Sequence, residues 1–165
     1  MSKEDELVYG IEQLALEGTP LMDRMDRHSL IAETNEVIRH NPLMMKGIRV
    51  REGHVNMTRA AACANQYEVI FAPRAVWRFT VAHELAHSVH IRMSSGREPD
   101  HGHQWRGVYA DLIDIIYGGD YKQRLLTAFD QANLIVTPAN LPISLDGPLI
   151  DITALIEASQ PSRWL

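Results

Sequence analysis

Five residues near the middle of the chain, His83-Glu84-Leu85-Ala86-His87, restrict the fold more than any other feature of the sequence. Two histidines four positions apart stand one turn above each other on one face of an α-helix, so both imidazoles can reach one ion at the roughly 2.0–2.1 Å that zinc requires. The pattern therefore asks for a helix across it and for a fold that brings a third ligand to that helix face, because a catalytic zinc site usually has three protein ligands and one open position. Glu84 lies about 100° round the helix from His83, beside such an open position rather than among the ligands. There it can take a proton from metal-bound water and pass it to a leaving amine. Shuffling this composition yields about 0.03 such matches per chain, so the surroundings must support the motif. They do, with small Ala82 and Ala86 allowing close approach of neighbours and further histidines downstream.

Histidine is the compositional anomaly: the chain has 8, of which His83, His87, His90 and His101 lie close together with His103 just beyond. Candidates for the third ligand are the carboxylates Glu98, Asp111 and Asp114 and the histidines His90, His101 and His103. His90 stands about 10 Å along the helix from His83, a poor position for sharing one ion. Spacing does not separate His101 from His103. Asp100 has two readings, an acceptor that orients an imbedded imidazole or a helix N-cap. Trp105, four residues past His101, is expected to pack against it. Tyr109 and Tyr117 are candidate phenols for an oxyanion, with half-buried packing the simpler reading. Arg78 and Arg124 are read as solvated helix-face residues that have the charge to bind a substrate carboxylate.

The 165 residues carry 16 Lys plus Arg against 21 Asp plus Glu and are 45% hydrophobic, the composition of one globular domain. No apolar run approaches the roughly 20 residues of a membrane span, and the acidic start is unlike a secretory signal, so a cytoplasmic protein is expected. A net charge of -5 argues against a broad electrostatic hold on nucleic acid. A single cysteine, Cys63, excludes an intrachain disulfide and a cysteine zinc ribbon, and is expected as a small buried apolar residue.

Helical spacing of apolar residues predicts helices over 3–17 (Leu7, Val8, Ile11, Leu14, Ala15), 26–40, 74–93 starting at Pro73, from about 100–103 to the Gly118-Gly119 cap, and 120–132 with Asn133 as terminator. Between Gly47 and Ala72 the period changes to two, with Ile48 and Val50, then Tyr67, Val69 and Phe71, in alternation, which predicts a small sheet of two or three strands. The last 32 residues hold one short helical candidate, 152–158. The pattern is α+β.

His83-Glu84-Leu85-Ala86-His87 followed by His101-Gly102-His103-Gln104-Trp105 resembles the SprT-like zinc metallopeptidases, whose third ligand is the histidine that opens an H-G-x-x-[FW] segment. Leu7 to Glu12, the strand ahead of the metal helix, and the stretch from Val108 through Phe129 are similar to a family of small bacterial and phage metallohydrolases. The resemblance spans roughly Glu6 to Leu134. It implies His101 as the third metal ligand and a minimal zincin, a few helices and a small sheet with the metal helix below the sheet's edge. Many SprT-like proteins also carry a cysteine ribbon or a basic DNA-binding segment, and this chain has neither.

The sequence thus leads to an α+β, zincin-like metallohydrolase domain over 1–134 with a Pro-containing extension over 135–165. The expected activity is Zn2+-dependent hydrolysis of peptide bonds in a protein or peptide substrate, with metal ligands His83, His87 and His101 and catalytic Glu84. Two alternatives stand beside it: a zinc-stabilised interaction module without catalysis, and a zinc amidohydrolase acting on a non-peptide substrate. Oligomeric state is not legible, and self-inhibition by the extension is motivated only by its place outside the resemblance.

Overall fold

A computed structural model describes residues 3–54, 57, 62–94, 100–142 and 148–152. Its elements run α1 (Lys3–Leu16), a 3-10 turn (Pro20–Met22), β1 (Arg24–Met25), α2 (Arg27–His40), α3 (Pro42–Met45), β2 (Arg49–Glu52), β3 (Ala62–Ala64), β4 (Glu68–Phe71), β5 (Val76–Trp77), α4 (Thr80–Ser94), α5 (His103–Tyr117) and α6 (Gly119–Gln131). The class is α+β, as the sequence pattern predicts. Among the described residues no helix is long and apolar enough to cross a membrane.

The sheet has the order β2-β4-β3, with β2 parallel and β3 antiparallel to β4. Register places Val50 beside Val69 and Ala64 on Val69's other side, with Ala62 beside Phe71. Residues aligned across strands share a face. Val69, Phe71 and Ala62 are buried, and the opposite face carries the Arg51–Glu68 ion pair. One face therefore packs on the core and the other meets solvent. Cys63 belongs to the solvent face and is exposed, which corrects the expectation of a buried cysteine.

α4 packs on β3 and β4 from the core side and on α5 from the other. It is tied to the β3–β4 turn by Ser88 Oγ, which donates to the Asn65 carbonyl at 2.7 Å, and by Arg92 Nε, which donates to the Gln66 carbonyl at 2.7 Å. The helix starts at Thr80, six residues after the expected Arg74. The intervening Val76–Trp77 pairs with Arg24–Met25 instead, and Arg78 N–H and Phe79 N–H donate to the Asp23 and Leu21 carbonyls. Tertiary pairing here overrides a local helical pattern.

α5 is the central helix, buried on nearly all sides from Trp105 to Tyr117. It ends at Gly118, whose φ of +110° lies in the region that favours glycine and whose N–H donates back to Asp114 and Ile113 carbonyls. α1 packs on α6, and α6 on α5. The buried face of α1 is Val8, Ile11, Glu12 and Leu16. Leu7 and Leu14, expected on that face, are 45% and 69% exposed, so the apolar stripe is rotated from the predicted one. A charged residue, Glu12, occupies the stripe instead.

After α6 the chain turns back along α5. Thr137 N–H donates to the His103 carbonyl at 3.0 Å, and Leu141 N–H to Asp111 Oδ2 at 3.2 Å. Gly107 makes this approach possible, since a Cβ there would stand 1.8 Å from the Thr137 carbonyl oxygen. Further on, the Leu149 and Ile150 N–H groups donate to the Ile115 and Ile116 carbonyls. The helical candidate 152–158 lies, apart from Ile152, outside the described residues, as does Glu98.

Candidate metal centre

The buried middle of α4 presents His83 and His87 one turn apart, and the turn ahead of α5 supplies His101. His83 Nε2 stands 3.2 Å from Nε2 of His87 and 3.2 Å from Nε2 of His101. One ligand atom from each lies within 4.8 Å of the others. Nitrogens bound at 2.0–2.1 Å in a tetrahedral arrangement stand about 3.4 Å apart, so these spacings fit one small cation. His101 reaches the group from a left-handed backbone conformation, φ +58°, uncommon for a residue with a side chain.

On the far side of each ring stands a carboxylate. Glu12 Oε1 is 2.6 Å from His83 Nδ1, and Asp5 Oδ1 is 2.9 Å from His101 Nδ1. Asp100 Oδ1 is 3.7 Å from His87 Nδ1, an electrostatic contact too long for a hydrogen bond. Carboxylates at Nδ1 favour the tautomer with the proton there and the Nε2 lone pair free. Burial holds the His83 imidazole well below its ordinary pKa, aided by His101, and burial lowers His87 and His101 too. All three are therefore neutral near pH 7, the form that binds metal.

Aromatic rings close the surroundings. The Trp105 ring is fully buried with its centroid 4.6 to 5.1 Å from those of the three histidines. Tyr9 of α1 stacks on His83 at 5.2 Å and meets His101 edge-on at 5.1 Å. Glu84 is 6% exposed, and burial together with the charge of Glu12 pushes its carboxyl up to about 8. Burial likewise pushes Glu12 up to about 8 against the opposing pull of His101. The three neutral imidazoles are the donor set, and a divalent cation held by them would favour the ionised form of the two buried carboxyls, Glu12 and Glu84. Zinc fits imidazole donors of this kind.

Arg106 fixes the turn that carries His101. Its Nη1 donates to the His101 carbonyl at 2.7 Å and to Glu4 Oε1 at 2.8 Å, while Nε donates to the Ile135 carbonyl at 2.8 Å.

The structure thus brings His83, His87 and His101 together with Glu84 beside them. His103 is exposed, its Nδ1 2.9 Å from Thr137 Oγ1, and takes no part in the group. His90 is buried on α4 outside it, and Asp111 and Asp114 pair with Lys122. Asp100 is not the N-cap of α5, a position Gly102 holds. Tyr109 is fully buried beside Glu12, its phenol raised by that burial and then by the Glu12 charge, so it has no path to a substrate. Tyr117 donates to Glu33 Oε1 at 2.7 Å, and Arg78 Nε to Glu33 Oε2 at 3.2 Å, so both are structural rather than solvated. Arg124 is exposed on α6, as the solvated reading expects. Sequence reasoning missed Asp5, Tyr9, Glu12 and Arg106. The available signal was Glu12, a charged residue amid Val8, Ile11 and Leu16. No protein-family model, curated protein or solved structure matches the chain.

Proposed function

We propose that this protein is a zinc-dependent metallopeptidase of the SprT-like, zincin-like kind. The observation that carries the reading is the convergence of three Nε2 atoms, from His83, His87 and His101, with Glu84 on the same helix. His83, His87 and His101 hold the ion, and among the described residues no fourth His, Cys, Asp or Glu joins them. A zinc ion held there supplies Lewis acidity toward a scissile carbonyl and lowers the pKa of water.

The chain's own groups do the rest. Glu84 accepts the proton of the attacking water at its carboxylate and hands it to the departing amine; the charge of a bound cation would favour the ionised carboxylate that this step needs, against the burial that raises it. Tyr9 is half-buried over the histidines, and burial and neighbouring carboxylates keep its hydroxyl protonated, so it is the phenol able to donate to a developing oxyanion. β3 is an edge strand lying against α4, and its Cys63 thiol is raised by partial burial and then by the charge of Glu84. An extended peptide adding to that edge would pass Glu84 with its backbone hydrogen-bonded.

Hydrolysis of an unfolded protein by the zinc-loaded chain, abolished in Glu84→Gln with zinc retained, is the expected result. A variant as active as the native protein would remove Glu84 from the mechanism. A second reading, a zinc-stabilised interaction module, draws on the depth of the centre, where His83 is 2% and His101 5% exposed. It predicts zinc binding with no hydrolysis by the native protein.

A further inference from the structure

Asp5, Tyr9 and Glu12 recur along α1 at intervals of four and three residues, which puts them on one helical stripe. That stripe faces the histidines. Glu12 Oε1 meets His83 Nδ1 at 2.6 Å across 71 positions of sequence, and Asp5 Oδ1 meets His101 Nδ1 at 2.9 Å across 96. Tyr9, between them, stacks on His83.

Packing alone does not account for Glu12. It is 0% exposed amid Val8, Ile11 and Leu16, and its Oε2 makes no hydrogen bond. Burying a carboxyl in this way is costly, and an apolar side chain of similar size would pack there at less cost. Its closest directed contact is with the nitrogen of His83 that faces away from the other two histidines, and the buried Tyr109 hydroxyl is also set against its carboxyl. Asp5 repeats the arrangement for His101, whose carbonyl is held on the same side by Arg106, itself paired with Glu4 of α1.

We infer that α1 is part of the metal centre, with Glu12 and Asp5 as positioning residues that fix His83 and His101 with the proton on Nδ1 and the Nε2 lone pair directed at the shared ion. The inference rests on the metal-centre reading above. It assigns to a helix remote in sequence a direct share in metal affinity. Such partners commonly contribute about 10- to 100-fold to affinity.

The test is zinc affinity, by competition with a chromophoric chelator, for the native protein and for Glu12→Gln, Asp5→Asn and the control Glu6→Gln, an exposed residue of the same helix turn. Visible spectra of the cobalt(II)-loaded proteins and the melting temperatures of the metal-free forms accompany it. Glu12→Gln and Asp5→Asn are each expected to bind zinc about 10- to 100-fold more weakly, with displaced cobalt bands and metal-free melting no lower than native for Glu12→Gln, while Glu6→Gln matches the native protein. Should Glu12→Gln fail to fold, Asp5→Asn in the first turn still carries the test. Native affinity in both variants overturns the inference while leaving the centre intact, and equal weakening in Glu6→Gln overturns it in favour of general charge attraction. A native protein that binds no zinc overturns the centre itself, a result distinct from either.

Discussion

His101 and His103 are two residues apart, yet only one belongs to the centre, and the reason is local geometry set from a distance. A left-handed backbone at His101, the Arg106 guanidinium on its carbonyl and Asp5 on its Nδ1 turn that ring inward, whereas His103 opens α5 and meets Thr137 at the surface. Spacing made His83, Glu84 and His87 legible because their relation is internal to one helix. It left the third histidine undecided because Asp5 sits 96 residues away. Family resemblance favoured His101 where spacing did not. At this scale Glu84→Gln is the sharpest substitution: zinc content per chain is expected unchanged, and hydrolysis of an unfolded protein to fall by about 10²- to 10⁴-fold, the usual worth of a general acid–base group. Paired elemental analysis and turnover assays would check it, and loss of zinc together with activity would mean that Glu84 is structural.

Two contacts between elements carry predictions of their own. Gly107 lets the chain after α6 lie against α5, so Gly107→Ala forces a methyl group onto the Thr137 carbonyl. The expected cost is about 1–3 kcal/mol, read from urea unfolding, and a variant of native stability would show that the contact is loose. Glu33 of α2 joins α5 through Tyr117 and the link between β5 and α4 through Arg78. Burial raises its carboxyl despite those two partners. A folded-state pKa above the unfolded one means that the folded chain holds the proton longer, so Glu33's contribution is fullest below about 4.5 and declines as pH rises through the folded value. The stability difference between the native protein and Glu33→Gln is therefore expected to shift against the native protein from pH 4.5 upward and then level, and a difference that grows in its favour would contradict the account. The five longer helices were legible from period, but the four-residue α3, the two-residue β1 and β5 and the three-residue β3 were too short to show one. Pairing of Arg24–Met25 with Val76–Trp77 likewise delayed the start of α4, a long-range choice that no window around Pro73 contains.

Across the whole molecule the centre works as a cross-link. Histidines from α4 and from the turn before α5 meet carboxylates of α1, and α1 in turn packs on α6. A bound ion would therefore tie α4 and the turn before α5 to α1 at the start of the described chain, and zinc should stabilise the folded state by about 2.7 kcal/mol when free zinc is 100 times the dissociation constant. Thermal unfolding with graded zinc and with a chelator would report this, and melting independent of both would argue against a centre built into the core. Composition pointed to one globular domain and against a broad electrostatic hold on nucleic acid, while the path of residues 134–142 along α5 had no sequence signature beyond Gly107. The most direct test of the central claim is zinc content by elemental analysis in the native protein, His101→Ala and His103→Ala, purified without added metal. The account predicts close to one zinc per native chain, lost in His101→Ala and kept in His103→Ala. No zinc in the native protein, or loss only in His103→Ala, would contradict it.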